Sequence, residues 1–157
     1  MAETIARAKV EDAEEILALQ KLAYQSEAEL YGDWSIPPLT QTLADLQGEF
    51  NDFIVLKAME GDRIVGAVRA RMEAGVCAVG RLVVHPQVQR RGIGSRLLQE
   101  IEKRFPEARS YELFTGSKSE ANIRLYRRHG YGVTRTERLS PRVSFTFMEK
   151  PGRDRGK

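Results

Sequence analysis

Between Gly80 and Leu98 the chain reads Gly-Arg-Leu-Val-Val-His-Pro-Gln-Val-Gln-Arg-Arg-Gly-Ile-Gly-Ser-Arg-Leu-Leu, and this stretch constrains the fold more than any other. Leu82, Val83 and Val84 form the apolar end of a buried strand. Pro86 has no N–H to donate and stops the ladder there. Beyond Gly94 the apolar spacing becomes helical, with Ile93, Leu97, Leu98 and Ile101 on one face. A strand therefore passes into a helix through the turn Gln89-Arg90-Arg91-Gly92-Ile93-Gly94.

The first N–H groups of a helix lack intrahelical partners and carry positive partial charge. Glycines at 92 and 94 let an anion approach them, and Arg90 and Arg91 add full charge. The turn reads as a phosphate cradle. A dinucleotide fingerprint would need a third glycine where Leu97 stands, and a P-loop would need a Gly-Lys-Ser/Thr step that is missing here.

Gln89-Arg90-Arg91-Gly92-Ile93-Gly94 resembles the Gln/Arg-x-x-Gly-x-Gly/Ala signature of the GCN5-related N-acetyltransferases (GNAT family). The preceding Leu-Val-Val-His-Pro and the later Asn122-Ile-Arg-Leu-Tyr126, followed by Gly130-Tyr131, match that family in the same order. The resemblance implies a mixed α/β fold: a central, mostly antiparallel sheet, opened at the cofactor site by a parallel strand pair and flanked by helices. It implies acetyl-CoA as donor and an amine as acceptor. Cofactor contacts then fall on Gln89, Arg90, Arg91, Gly92, Ile93, Gly94 and Ser95, on the main chain of Leu82, Val83 and Val84, and on Asn122. The side chain of Val83 is expected in the core.

With 157 residues the chain suits one domain, expected over residues 1–150 with a short basic tail at 151–157. Hydrophobic residues at 41% and charged residues at 30% fit a folded globular protein. The net charge of +3 is too small to indicate nucleic acid. One cysteine, Cys77, allows no intrachain disulfide. With no signal-like or membrane-length apolar run, the expected location is cytoplasmic and no membrane partner is expected.

Taken in order, Thr4 to Lys9 reads as a first strand, and a helix follows from Glu11 to about Ser26. Glu27 to Pro38 is a polar and aromatic segment whose prolines prevent a continuous helix. Thr40 to Phe50 forms a second short helix. Phe53–Met59, Ile64–Met72 and Val76–Val84 make an antiparallel meander. The cradle helix runs to about Phe105, and Tyr111–Thr115 is a further strand. Ser117-Lys118-Ser119-Glu120 has capping-box spacing at the start of a helix that Gly130 closes. Tyr131–Thr136 and Val143–Glu149 complete the sheet.

Acetyl transfer needs a neutral amine, a donor to the thioester carbonyl and a proton for the leaving thiolate. A phenol with pKa of about 10 stays protonated at neutral pH and can serve a thiol of about 8.5. Tyr126 is the candidate acid, as the tyrosine at this place is in the family, and Asn122 shares its helical face. Many family members carry a strand glutamate as base, but Val76 to His85 has no acid, and Gly80 and Arg81 occupy that region. A base must then come from elsewhere, for instance Glu27, Glu29 or Glu112, unless the substrate arrives neutral. Arg81 can bind a substrate carboxylate or lie along the sheet surface. Glu27, Tyr31, Asp33 and Trp34 belong to the segment that forms one acceptor wall in the family. His85 reads as structural and His129 as a favourable charge at a helix C-terminus. No metal is expected.

The leading reading is an N-acetyltransferase acting by direct attack in a ternary complex on a small-molecule, amino-acid or protein amine. A non-catalytic acetyl-CoA sensor is the alternative, favoured by the missing strand glutamate and opposed by Tyr126. A nucleic-acid role for Arg90, Arg91, Arg127, Arg128 and the tail is disfavoured by the low net charge. The resemblance also allows a homodimer through the last strands.

Overall fold

A computed structural model describes residues 3–152. The strands are β1 (Thr4–Arg7), β2 (Ile54–Glu60), β3 (Arg63–Glu73), β4 (Val76–Val84), β5 (Ser110–Gly116), β6 (Gly132–Arg138) and β7 (Ser144–Pro151). The helices are α1 (Ala13–Ala23), α2 (Gln25–Tyr31), α3 (Pro37–Thr40), α4 (Leu43–Glu49), α5 (Ile93–Lys103) and α6 (Glu120–Arg128). All seven strands join one sheet in the order β1-β2-β3-β4-β5-β7-β6. Every neighbouring pair is antiparallel except β4–β5, which the α5 crossover makes parallel. The mixed α/β sheet with one parallel pair is as expected.

The sheet is covered on both faces, which is why residues Ile64 to Ala70 of β3 are all buried. One face packs against α5 through Ile93, Leu97, Leu98 and Ile101, none more than 1% exposed. Gly66 permits that approach: a Cβ there would lie 2.9 Å from the Leu97 Cδ1 atom. On the other face Ile16, Leu17 and Leu19 of α1 pack with Val55, Ala67 and Val83. Val83 is thus a core side chain, as expected.

Four local expectations are corrected. The first helix does not run to Ser26: the chain bends at Tyr24 and restarts as α2, which Gly32 ends with φ of +63°. The segment to Pro38 is therefore largely α2 and the start of α3, whose two prolines occupy the first helical turn, where no N–H is needed. The second helix starts only at Leu43, because Thr42 caps it by accepting from the Asp45 N–H at 3.1 Å. Ser117 forms no capping box: α6 starts at Glu120 behind Ser119, whose hydroxyl is engaged elsewhere.

Gly130 closes α6 with φ of +93°, as its sequence position implies. The tail boundary shifts, since Pro151 pairs with Ser110 and the Gly152 N–H reaches the Arg109 carbonyl at 2.8 Å. The remaining residues of the expected tail, 153–157, lie outside the described ones. Among the described residues no helix is long and apolar enough to cross a membrane.

Candidate active site

The parallel pairing of β4 with β5 ends at Ala78, which lies opposite Glu112. Beyond it β5 stays with β7 as far as Gly116, so it is β4 that departs. A bulge accompanies the departure: Ala67 and Arg69 of β3 face Val83 and Gly80, leaving Arg81 and Leu82 opposite Val68 alone. Arg81 takes up the extra length with φ of +52°. Backbone groups of β4 that face the gap past Ala78 have no ladder partner, and in a buried sheet such groups require one.

The gap opens into a cleft of about 130 Å³ between Val79–Leu82 on one strand and Leu113–Gly116 on the other. Asn122 and Tyr126 of α6 line it, together with Tyr24, Glu27, Tyr31 and residues Ile36 to Pro38 from the α1–α3 side. Val143 and Phe145 complete the wall.

Tyr126 is 6% exposed. Among the described residues its hydroxyl has no hydrogen-bond partner. Burial holds this phenol well above its ordinary value, with Tyr24 and Glu27 pushing the same way, so it keeps its proton at any working pH. Asn122, one turn earlier, donates to Thr115 Oγ1 at 3.3 Å and so spans the cleft from α6 to β5. The two residues do share one face, as their spacing implies.

Of the three candidate bases, only Glu27 reaches the cleft. The Ser119 hydroxyl donates to its carboxylate at 2.5 Å. Glu29 lies exposed on the outer side of α2, and Glu112 faces Arg135 at 3.7 Å. Tyr31 lines the cleft, but its hydroxyl accepts from the Lys118 N–H at 2.7 Å. Gly116 leaves room for it, since a Cβ there would sit 2.1 Å from that oxygen. Asp33 is turned to Ser35, and Trp34 is 57% exposed; neither lines the cleft.

At the end of β4 the turn over residues 89–92 leads into α5. Gly92 precedes α5 with φ of +81° and open space where a side chain would stand. No side chain caps α5, so its first N–H groups keep their capacity for an anion. Ile93 is buried beneath them. Gly94 contributes close packing rather than openness: a Cβ there would be 3.7 Å from both Val84 and Leu125. Arg90 is exposed with φ of +70°. Arg91 instead bonds Glu60 at 2.9 Å and lies 3.6 Å from Glu3. Gln89 returns to the Val84 carbonyl at 3.5 Å.

Ser95 shares a 2.9 Å hydrogen bond with the His129 Nε2 atom. Burial lowers the His129 pKa, with Glu102 opposing and Lys150 and Arg128 reinforcing the shift. Burial, the largest cause, thus makes His129 harder to charge than a free imidazole, against the expectation of a favourable charge at its helix end. His85 accepts from the Gln87 N–H at 3.1 Å and holds the turn after β4. Among the described residues no group of three or more His, Cys, Asp or Glu side chains could hold a metal ion.

Sequence reasoning missed Tyr24, Ile36, Val143 and Phe145 as lining residues and Arg69 as a buried cation behind them. Nothing local marks these positions. Arg69 is 4% exposed and answered by Glu49 at 2.6 Å, Gln20 at 3.1 Å and Gln41 at 3.2 Å, three partners brought from two helices and a loop.

The fold recurs widely in solved structures. The PaiA N-acetyltransferase from Thermoplasma acidophilum, solved with coenzyme A, superposes with a TM-score of 0.78 at 19% identity, covering 96% of this chain and 99% of that one. A phosphinothricin acetyltransferase from Sinorhizobium meliloti, solved with AcCoA, gives 0.76 at 18%, covering 96% and 89%. The ribosomal-protein-S18-alanine N-acetyltransferase from Escherichia coli gives 0.75 at 16%, covering 95% and 93%. At such identities these show a shared fold. A curated relative, UPF0157 protein YqkA from Bacillus subtilis (strain 168), is 31% identical over 124 residues. The match takes in 79% of this chain but 36% of that protein, so the chain spans about a third of the relative's length. A model of the acetyltransferase (GNAT) family matches residues 13–131. That match spans the α1 wall, the bulged strand, the cradle and α6, and the chain belongs to the GNAT family of acetyltransferases.

Proposed function

We propose that the chain transfers an acetyl group from acetyl-CoA to a primary amine by direct attack in a ternary complex. The observation that carries this reading is the parting of β4 from β5 beyond Ala78, beside an uncapped helix start at Gly92. The residues present fit the donor. The α5 N–H groups and Arg90 suit its phosphates, and the unpaired edge of β4 suits the amides of its arm. Bound there, acetyl-CoA supplies an activated thioester.

The chain's own residues handle two protons. As the new C–N bond forms and the C–S bond breaks, nitrogen loses a proton and sulfur needs one. Glu27, held by Ser119, is the carboxylate placed to take the first. Tyr126, protonated and otherwise unpartnered, is placed to give the second. Exchange with solvent restores both groups. Direct attack is favoured over a covalent enzyme intermediate because Cys77 is fully buried and burial pushes its thiol up to about 12.

One observation favours the sensor alternative: β4 presents Arg81, and no acid, to the cleft. Calorimetric titration with acetyl-CoA, CoA and ATP, followed by thiol release across a panel of amines, separates the readings. Binding of both CoA forms but not ATP, with thiol release, is expected. Binding without release for any amine supports the sensor, and no binding removes both.

A further inference from the structure

Acetyl transfer as described leaves one charged group in the cleft unused. Arg81 lines it, and the Nε atom of this guanidinium is buried with no hydrogen-bond partner. Among the described residues no carboxylate lies within ion-pair distance of Arg81, whereas the neighbouring Arg69 is fully answered by Glu49, Gln20 and Gln41. The Arg81 side chain is half-buried, but its Nε donor is withdrawn from water without a partner, and an orphaned buried donor is costly and seldom retained without a use. The backbone adds to the cost, because Arg81 is a non-glycine residue at φ of +52°. That bulge gives Arg81 its place in the cleft wall beside Tyr24, whose phenol it pulls down against the larger effect of burial.

Among the described residues that line the cleft, Glu27 and Arg81 alone are charged. One carboxylate and one guanidinium therefore face a space otherwise walled by aromatic, apolar and small neutral groups. Ile36, Pro37, Pro38, Val143 and Phe145 make its α3 and β7 side apolar. The complement of such a site is a molecule with one cation, one anion and an apolar body. We propose that the acceptor is a free α-amino acid with an apolar side chain, its carboxylate held by Arg81 and its amine by Glu27. The assignment rests on the acetyl-transfer reading above and narrows its acceptor. A guanidinium suits this task because its planar edge can bond both carboxylate oxygens at once.

The test uses the full chain with acetyl-CoA, following thiol release with leucine, leucinamide and isoamylamine. These acceptors share the apolar body and the amine, and leucine alone carries the carboxylate. Leucine is expected to show kcat/KM at least about tenfold above both others, the worth of a charge-assisted hydrogen bond. Arg81→Asn keeps a residue that tolerates the left-handed backbone and removes the charge. It is expected to raise the KM for leucine about tenfold or more and to leave both constants for leucinamide within about twofold. Arg81→Lys is expected to recover part of the preference.

Equal use of leucine and leucinamide by the wild type would overturn the carboxylate subsite and leave acetyl transfer standing. So would an Arg81→Asn variant that loses both acceptors alike, because that marks a structural arginine. If the variant does not fold, the wild-type comparison decides alone. Thiol release with none of the three, from a protein that binds acetyl-CoA, removes the free amino acid as acceptor. A release assay with peptide and polyamine acceptors then shows whether acetyl transfer itself survives.

Discussion

The Ser119 hydroxyl donates to the Glu27 carboxylate at 2.5 Å, tying the start of α6 to α2 across 92 positions of sequence. Ser119 is also the residue before α6, yet its side chain caps no helix N–H. Its position serves Glu27 instead. Ser119→Ala should lower kcat several-fold by freeing that carboxylate, while costing about 1.5–3 kcal/mol of stability, the range for a hydrogen bond to a charged group. Steady-state kinetics and chemical denaturation of the same preparation test both parts. Unchanged kcat would detach Glu27 from the reaction.

Tyr126→Phe should lower kcat by about 100-fold or more, the usual scale for a lost general acid, with acetyl-CoA affinity within about twofold. Stability should stay level or rise slightly, because the lost hydroxyl has no protein partner to leave behind. The burial-raised phenol also predicts that no titration of Tyr126 appears in the pH–rate profile below pH 10 or so. Wild-type turnover in the variant would remove this tyrosine from the mechanism.

The two cradle arginines should behave differently. Arg90→Glu places like charge beside the phosphates and should weaken CoA binding about tenfold or more, with a reduced dependence on salt. Arg91→Glu should do the same and also lower the melting temperature, because the new carboxylate would face Glu60 and Glu3. Calorimetry and thermal unfolding separate the two effects. Unchanged CoA affinity in both variants would sink the cradle.

His129 offers a pH test of stability. Its folded pKa lies below the ordinary value of about 6.5, so the unfolded chain binds the proton more readily. The stability it contributes is fully present above about pH 6.5 and declines as pH falls toward the folded pKa. His129→Gln keeps a hydrogen-bonding group near Ser95 and removes the titration. Unfolding free energies of the two proteins should therefore draw closer or cross between neutral pH and pH 5. Parallel curves would show that folding leaves the His129 pKa unshifted.

The turn between β4 and α5 was legible in the sequence because it is local. Proline, two glycines and a change from strand to helical spacing sit within one short run, and each acts on its own backbone. The α5 core face and the Gly130 cap were legible for the same reason. The capping box at Ser117 misled because the nearby Ser119 was equally able to precede the helix, and a partner 92 positions away decided its hydrogen bond. The charge expected of His129 failed similarly, since burial against Ser95 depends on how α6 settles beside α5.

By itself the sequence determined the order of the strands, the glycine turn that starts α5 and the shared face of Asn122 and Tyr126. These follow from backbone preference and from spacings of a few residues. Only the tertiary structure decided where β4 leaves β5, that Glu27 reaches the cleft while Glu29 and Glu112 do not, and that Arg81 stands there without a partner. Those outcomes depend on register between strands and on which distant side chains arrive at the same place. A chain of 157 residues carries that information only when its sheet has closed around it.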